Sequence, residues 1–160
     1  MAEIALSNGL KALVDDADVP MLSKWKWAAR QTREGRWYAM RLPRIPGTLT
    51  KRRVVHMHRF LAGALQGEII DHINNSSLDN RRSNLRRATK QQNAINCKIY
   101  SNNTSGFKGV SWFANSNLSF GGYWRAQVGR KHLGYFKNKE AAADAYKKAA
   151  IAMHGEFVRV

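Results

Sequence analysis

The most constraining stretch of this 160-residue chain lies near its end, where an alanine-rich stripe follows Asn138. Ala142, Ala145, Tyr146, Ala149, Ala150 and Met153 recur at the spacing of one helix face. Asn138 is a good N-cap and Gly155 a fitting C-terminal stop. A helix lined with methyl groups can lie close against a small sheet. Three short runs that read as strands precede it: Phe107–Phe113, Gly122–Val128 and Lys131–Lys137. The expected product is a three-stranded antiparallel sheet packed on one helix. Strand alternation puts Trp124, Ala126 and Val128 on the helix side and Arg125 and Gln127 on the other.

Residues 1–66 read as strands and turns. Ile4 and Leu6, then Leu10, Ala12 and Val14, alternate around the turn signal Ser7-Asn8-Gly9. Trp25 and Trp27, then Trp37 and Ala39, flank a polar tip at Arg30–Arg36, which predicts a second hairpin. Aromatic residues at strand period usually build a core, so these tryptophans are read as core rather than as base-stacking groups. Val54–Arg59 is a short strand or a strand-to-helix entry, and Thr89 with Gln92 has capping-box spacing for a helix starting there. Ser101–Gly106 is a linker by composition.

Charge narrows the partners. Lys and Arg number 27 against 11 Asp and Glu, a formal net charge of +16. Such self-repulsion is usually relieved by a polyanion, most often nucleic acid. From Ser105 onward the count is 9 against 3, so both parts of the chain are basic. No run approaches the roughly 18–20 apolar residues of a spanning helix, and no membrane partner is expected. Cys97 is the only cysteine, which fits a reducing cytosol and removes any cysteine-rich zinc site. The opening MAEIALSNG has no apolar core segment, so no secretory signal is expected.

The chemistry gathers in Glu68–Asn93, EIIDHINNSSLDNRRSNLRRATKQQN. Phosphodiester hydrolysis needs a base for water and positive charge for the transition state. His72 can be the base, because its ordinary pKa lies near working pH. Asp71 can hold a hard divalent cation, and Asn93 adds a neutral oxygen. Adjacent strand residues point to opposite faces, so Asp71 and His72 share a site only if the strand ends or twists there. Arg81, Arg82, Arg86 and Arg87 are read as phosphate contacts beside that site. His56 and His58 are read as structural or DNA-backbone residues rather than metal ligands.

This segment resembles the HNH family in its phage and homing-endonuclease branch. The matching pieces are Asp71-His72, Asp79-Asn80-Arg81, Asn84-Leu85 and Gln92-Asn93. The resemblance implies a ββα-metal core with His72 as general base. It makes Asp71 and Asn93 ligands of one divalent ion, Mg²⁺ or Mn²⁺, and gives Asn84 the restraint of His72. Asn93 stands where many HNH proteins have His, which fits an H-N-N variant. Phe107–Val160 resembles the ERF-type (APETALA-family) DNA-binding domain, through Gly106–Val110, Trp124–Val128, Leu133–Phe136, Glu140–Ala142 and Gly155–Phe157. That family lays its sheet in the DNA major groove. The resemblance implies base or phosphate contacts from Lys108, Arg125, Gln127, Arg130 and Lys131.

The expected architecture is α+β. Residues 1–98 hold the N-terminal strands and the HNH core (about 54–98), 99–106 the linker and 107–160 the ERF-type domain. The expected function is a metal-dependent, homing-type DNA endonuclease that nicks or prefers certain sites and leaves 5′-phosphate and 3′-hydroxyl ends. Its partner is double-stranded DNA and the expected state is a monomer, a dimer being left open. The expected setting is the cytoplasm of a bacterial host, with the chain phage- or mobile-element-encoded. The alternative is a non-catalytic, sequence-specific DNA-binding regulator with a degenerate core.

Overall fold

A computed structural model describes residues 1–97, 99, 102–114 and 121–158. Ser101 of the expected linker and Val160 at the end of the expected C-terminal domain lie outside the described residues. The chain is a mixed α+β protein. Its contacts gather into two compact units, Met1–Thr89 and Lys90–Val160.

The first unit opens with the antiparallel pair β1 (Ala2–Ala5) and β2 (Lys11–Val14), which turns at Gly9. Pro20 sits in the first turn of the short α1 (Val19–Leu22), where its missing N–H costs nothing. A three-stranded sheet follows, made of β3 (Ala28–Gln31), β4 (Trp37–Arg41) and the two-residue β5 (Val55–His56), with β4 central. The helix α2 (Met57–Leu61) continues directly from β5. Then β6 (Ile69–His72) pairs antiparallel with β7 (Leu85–Ala88).

One core holds this unit together. Ile4, Leu6, Ala12, Val14, Leu22, Trp27, Ala39, Met57 and Leu61 are buried, with Trp25, Phe60, Leu78 and Leu85 packed against them. Trp27 is therefore core, and its indole N–H donates to the Leu22 carbonyl at 3.0 Å. Trp25 carries the Arg41 guanidinium 4.2 Å above its ring. The strand expected to begin at Trp25 begins at Ala28 instead. Trp27 there makes an isolated bridge to Leu6, and Ser7 N–H donates to its carbonyl at 2.9 Å.

The second unit begins with α3 (Lys90–Asn96). Its sheet comprises β8 (Val110–Ala114), β9 (Gly122–Val128) and β10 (Lys131–Phe136), antiparallel with β9 central. The helix α4 (Lys139–His154) covers one face. The Asn138 side chain caps it, accepting from the Ala141 N–H at 2.8 Å. Val110, Ala126 and Ala142 are buried between sheet and helix, with Trp124, Phe136, Ala145 and Tyr146 packed around them.

Asn103–Phe107 is a closed loop rather than loose chain. The Asn103 side chain accepts from Gly106 N–H at 2.7 Å and donates to the Phe107 carbonyl at 2.9 Å. The buried Ser105 hydroxyl donates to the Val110 carbonyl at 2.8 Å. Gly109 then has φ +63°, and a Cβ there would lie 2.3 Å from the Gln127 carbonyl oxygen and from the Tyr146 ring. Gly109→Ala is expected to destabilise the protein by about 2–4 kcal/mol, from overpacking plus backbone strain. Denaturant unfolding of the full chain measures this, and an unchanged midpoint would refute it.

Candidate active site

The strand β6 ends at His72, and a tight turn follows. Asn75 N–H donates to the His72 carbonyl at 2.9 Å, and Asn75 adopts φ 58°, a left-handed conformation that asparagine tolerates. The register sets Asp71 beside Arg86 and His72 beside Leu85, on alternate faces of the pair. The geometric difficulty anticipated from the sequence is thus met only by the strand's ending.

The connection from 73 to 84 is stitched by amide side chains. Asn84 accepts from Asn74 N–H at 3.0 Å and donates to Asn74 Oδ1 at 2.9 Å and to the Asp79 carbonyl at 2.8 Å. Asn74 Nδ2 donates to Asp79 Oδ2 at 2.8 Å, and Arg81 grips the same carboxylate from Nε and Nη2 at 2.8 and 2.6 Å. Arg81 and Asn74 hold the Asp79 carboxyl below the usual carboxylate range, although its burial pushes the other way. Asp79 is only 2% exposed, so these bonds offset its desolvation.

His72 is 6% exposed. Its Nε2 faces Asn80 Oδ1 at 3.4 Å, and Asn80 is completely buried. The Asn80 amide is oriented by its other end, where Nδ2 donates to the Leu78 carbonyl at 3.2 Å. An amide oxygen only accepts, so this contact favours the tautomer with the proton on Nε2. Burial lowers the His72 pKa, while Asn80, Asp71 and Asp79 pull it back up. The ring is therefore neutral near pH 7 and able to take a proton.

Two residues that the motif reading left outside the site surround it. The His58 ring lies 5.0 Å from that of His72, and Tyr38 lies 6.1 Å from it. Asn80 is the third addition, for the motif assigned the restraint of His72 to Asn84. Asn84 instead spends the bonds given above on the turn. The signal for Asn80 was its place in Asp79-Asn80-Arg81. What makes it rigid, an Asn80 N–H bond to the Leu13 carbonyl at 2.8 Å, comes from 67 residues away in the chain and has no local trace.

The four arginines expected to meet phosphate all face carboxylates. Arg86 pairs with Asp71 through Nε at 3.0 Å and Nη2 at 2.9 Å. Arg81 holds Asp79 as described. Arg82 forks onto Asp18 at 2.7 and 2.9 Å, and Arg87 lies 3.4 Å from Glu68. The Arg86 side chain is only 10% exposed, whereas those of Arg82 and Arg87 remain more than half exposed and can meet a second anion.

In the second unit, Asn93 lies on α3, and its carbonyl accepts from the Cys97 thiol at 3.3 Å. Lys108 Nζ donates to the Ile95 carbonyl at 2.8 Å. Arg125 and Gln127 share the sheet face away from α4. Gln127 Nε2 donates to the Gly129 carbonyl at 2.6 Å, while Arg125 Nε is buried with no hydrogen-bond partner among the described residues. Arg130 and Lys131 are exposed at the hairpin turn.

Residues 55–95 match the family model described as HNH endonuclease. A neutral buried histidine after an aspartate, on a two-stranded ribbon, thus belongs to an HNH endonuclease domain. The chain is 34% identical over 100 residues to Protein 3.8 of Escherichia phage T7, spanning 59% of this chain and 76% of that one. It therefore belongs to the same family as that phage protein. It is also 34% identical over 113 residues to Uncharacterized HNH endonuclease L560 of Acanthamoeba polyphaga mimivirus, spanning 64% of this chain and 55% of the viral protein. No solved structure matches the chain.

HNH endonucleases generally use a divalent metal ion. The buried Asp71 carboxylate has the hard-oxygen chemistry such an ion prefers, although Arg86 shares it. Among the described residues, no three His, Cys, Asp or Glu side chains converge as a metal cage.

Burial holds His56, His58 and His72 all below the ordinary histidine value, His58 to about 3. Between about pH 6.5 and that value the unfolded chain binds more protons than the folded one. Stability is thus complete above about pH 6.5 and falls as pH drops, by about 1.4 kcal/mol per unit for His58 alone. Urea unfolding on both sides of that pH should show the loss, and His58→Asn should flatten it. An equally steep loss in the variant would remove His58 as its source.

Proposed function

We propose that this protein is a metal-dependent DNA endonuclease of the homing type, which nicks or cuts at preferred sites. The observation that carries the proposal is the buried, neutral His72, with its Nε2 directed at Asn80 and its neighbour Asp71 on the same strand end. His72 Nδ1 accepts a proton from water, and the resulting hydroxide attacks phosphorus. The bond from phosphorus to the 3′ oxygen breaks, and that oxygen takes a proton from solvent water, leaving 5′-phosphate and 3′-hydroxyl ends. Asn80 keeps the ring in the tautomer that can accept, and Asn84 holds the turn on which His72 stands.

Asp71 is the proposed ligand of the ion, Mg²⁺ or Mn²⁺. Asn93 is its partner on the sequence pattern alone. When bound, the ion supplies positive charge for the phosphorane-like transition state. The partly exposed guanidinium groups of Arg81, Arg82 and Arg87 are the proposed contacts to backbone phosphates, whereas Arg86 serves first to hold Asp71.

The second unit is proposed to bind double-stranded DNA in the manner of an ERF-type domain. Arg125 and Gln127 are its base readers, and Lys108, Arg130 and Lys131 its phosphate contacts. Tethering such a module to a weak catalytic core raises the local concentration of phosphates. No described helix is long and apolar enough to cross a membrane. The phage relative supports a phage-encoded protein; the cytoplasm of a bacterial host and a monomeric state, with a dimer left open, are the rest of the reading.

Supercoiled-plasmid cleavage with Mg²⁺ or Mn²⁺ tests the reading. His72→Ala is expected to cut at least about 100-fold more slowly while binding DNA normally. Normal cutting by that variant would overturn the mechanism. Metal-independent binding without cutting by the wild type would favour the non-catalytic regulator. Arg125→Ala should weaken discrimination between sites more than it slows cutting of random DNA, as read from a cleaved library.

A further inference from the structure

The sheet face turned away from α4 is half aromatic and half polar. Register places Phe113 opposite Tyr123, Tyr135 opposite Arg125 and His132 opposite Gln127, and the His132 ring lies 4.7 Å from that of Tyr135. The Phe113 and Tyr135 rings lie 5.2 Å apart, and Tyr123 and Tyr135 lie 6.3 Å apart. Phe113 remains 42% and Tyr135 49% exposed. Among the described residues these adjoining rings do not serve the α4 core, which is built on the opposite face.

We infer that this aromatic half takes unpaired nucleotide bases where single strand meets duplex. The inference rests on the DNA-binding reading of the second unit. Residues from Ser105 onward carry 9 Lys and Arg against 3 Asp and Glu, so the partner is a polyanion. Duplex grooves present base edges, and the base faces are stacked on one another. Exposed rings meet only sugars and thymine methyls there, whereas splayed bases stack on the ring faces without sequence preference. Arg125 stands at the boundary, its buried Nε without a hydrogen-bond partner among the described residues. Its guanidinium can meet either a base edge in the duplex or the face of an unstacked base.

The module so arranged grips a nick, a frayed end or an overhang in preference to intact helix. The test uses the full-length chain in a His72→Ala background, so that no substrate is cut. Fluorescence anisotropy compares a blunt duplex with the same duplex bearing a single-stranded oligothymidylate overhang. The overhang should tighten binding roughly tenfold, in line with one or two stacked bases. Phe113→Leu and Tyr135→Leu, which keep apolar bulk and lose the ring, should abolish that gain and leave the blunt duplex unchanged. Tyr135→Trp should retain it. Equal affinity for both substrates, or equal losses on both in the leucine variants, would overturn the inference and leave duplex binding standing. No binding to either substrate would sink both readings.

Discussion

The first unit depends on one strand used from both edges. β2 pairs with β1 along one side, and on the other Leu13 N–H donates to the Leu78 carbonyl at 2.9 Å while the Leu13 carbonyl accepts from Asn80 N–H at 2.8 Å. Asn80 is thereby fixed in the backbone before its side chain reaches His72. The same N-terminal segment reaches further along the loop, for Asp15 accepts from Arg82 N–H at 2.8 Å and Asp18 pairs with the Arg82 guanidinium. The residues that do the proposed chemistry and those that hold them still thus come from opposite ends of the unit.

Buried polarity follows from this arrangement. Asp71, His72, Asp79, Asn80 and Asn84 are all buried, and such groups are tolerable only when bonded. Carboxylates near the site are each matched by an arginine, and amides close most of the remaining bonds. The same burial that keeps His72 neutral makes the fold acid-sensitive, because His58 and His56 share the low-dielectric surroundings.

Local signals in the sequence were readable where short-range geometry decides the outcome. The turn at Gly9, the cap at Asn138 and the alternation of Trp124, Ala126 and Val128 each rest on neighbouring residues, and each stands in the structure. The HNH motif was legible because its pieces fall at fixed offsets within one segment, and the match over residues 55–95 covers the same ground. Long-range partners were not legible. Nothing adjacent to Arg82 announces Asp18, and nothing near Asn80 announces Leu13. The arginine row read as a phosphate-binding surface because sequence shows charge without showing which carboxylates fold back onto it.

The clamp by β2 also bears on how such a protein is inherited. The segment that carries the family signature starts at residue 55, yet its loop borrows hydrogen bonds from residues 13, 15 and 18. Excised by itself, the signature would leave the Asn80 N–H without its partner and the Arg82 guanidinium without Asp18, keeping only its bond to the Leu61 carbonyl. The heritable unit of this nuclease is therefore larger than its motif. Recombination that moved residues 55–95 alone into a new gene would transfer the reactive groups without the strand that keeps them in place.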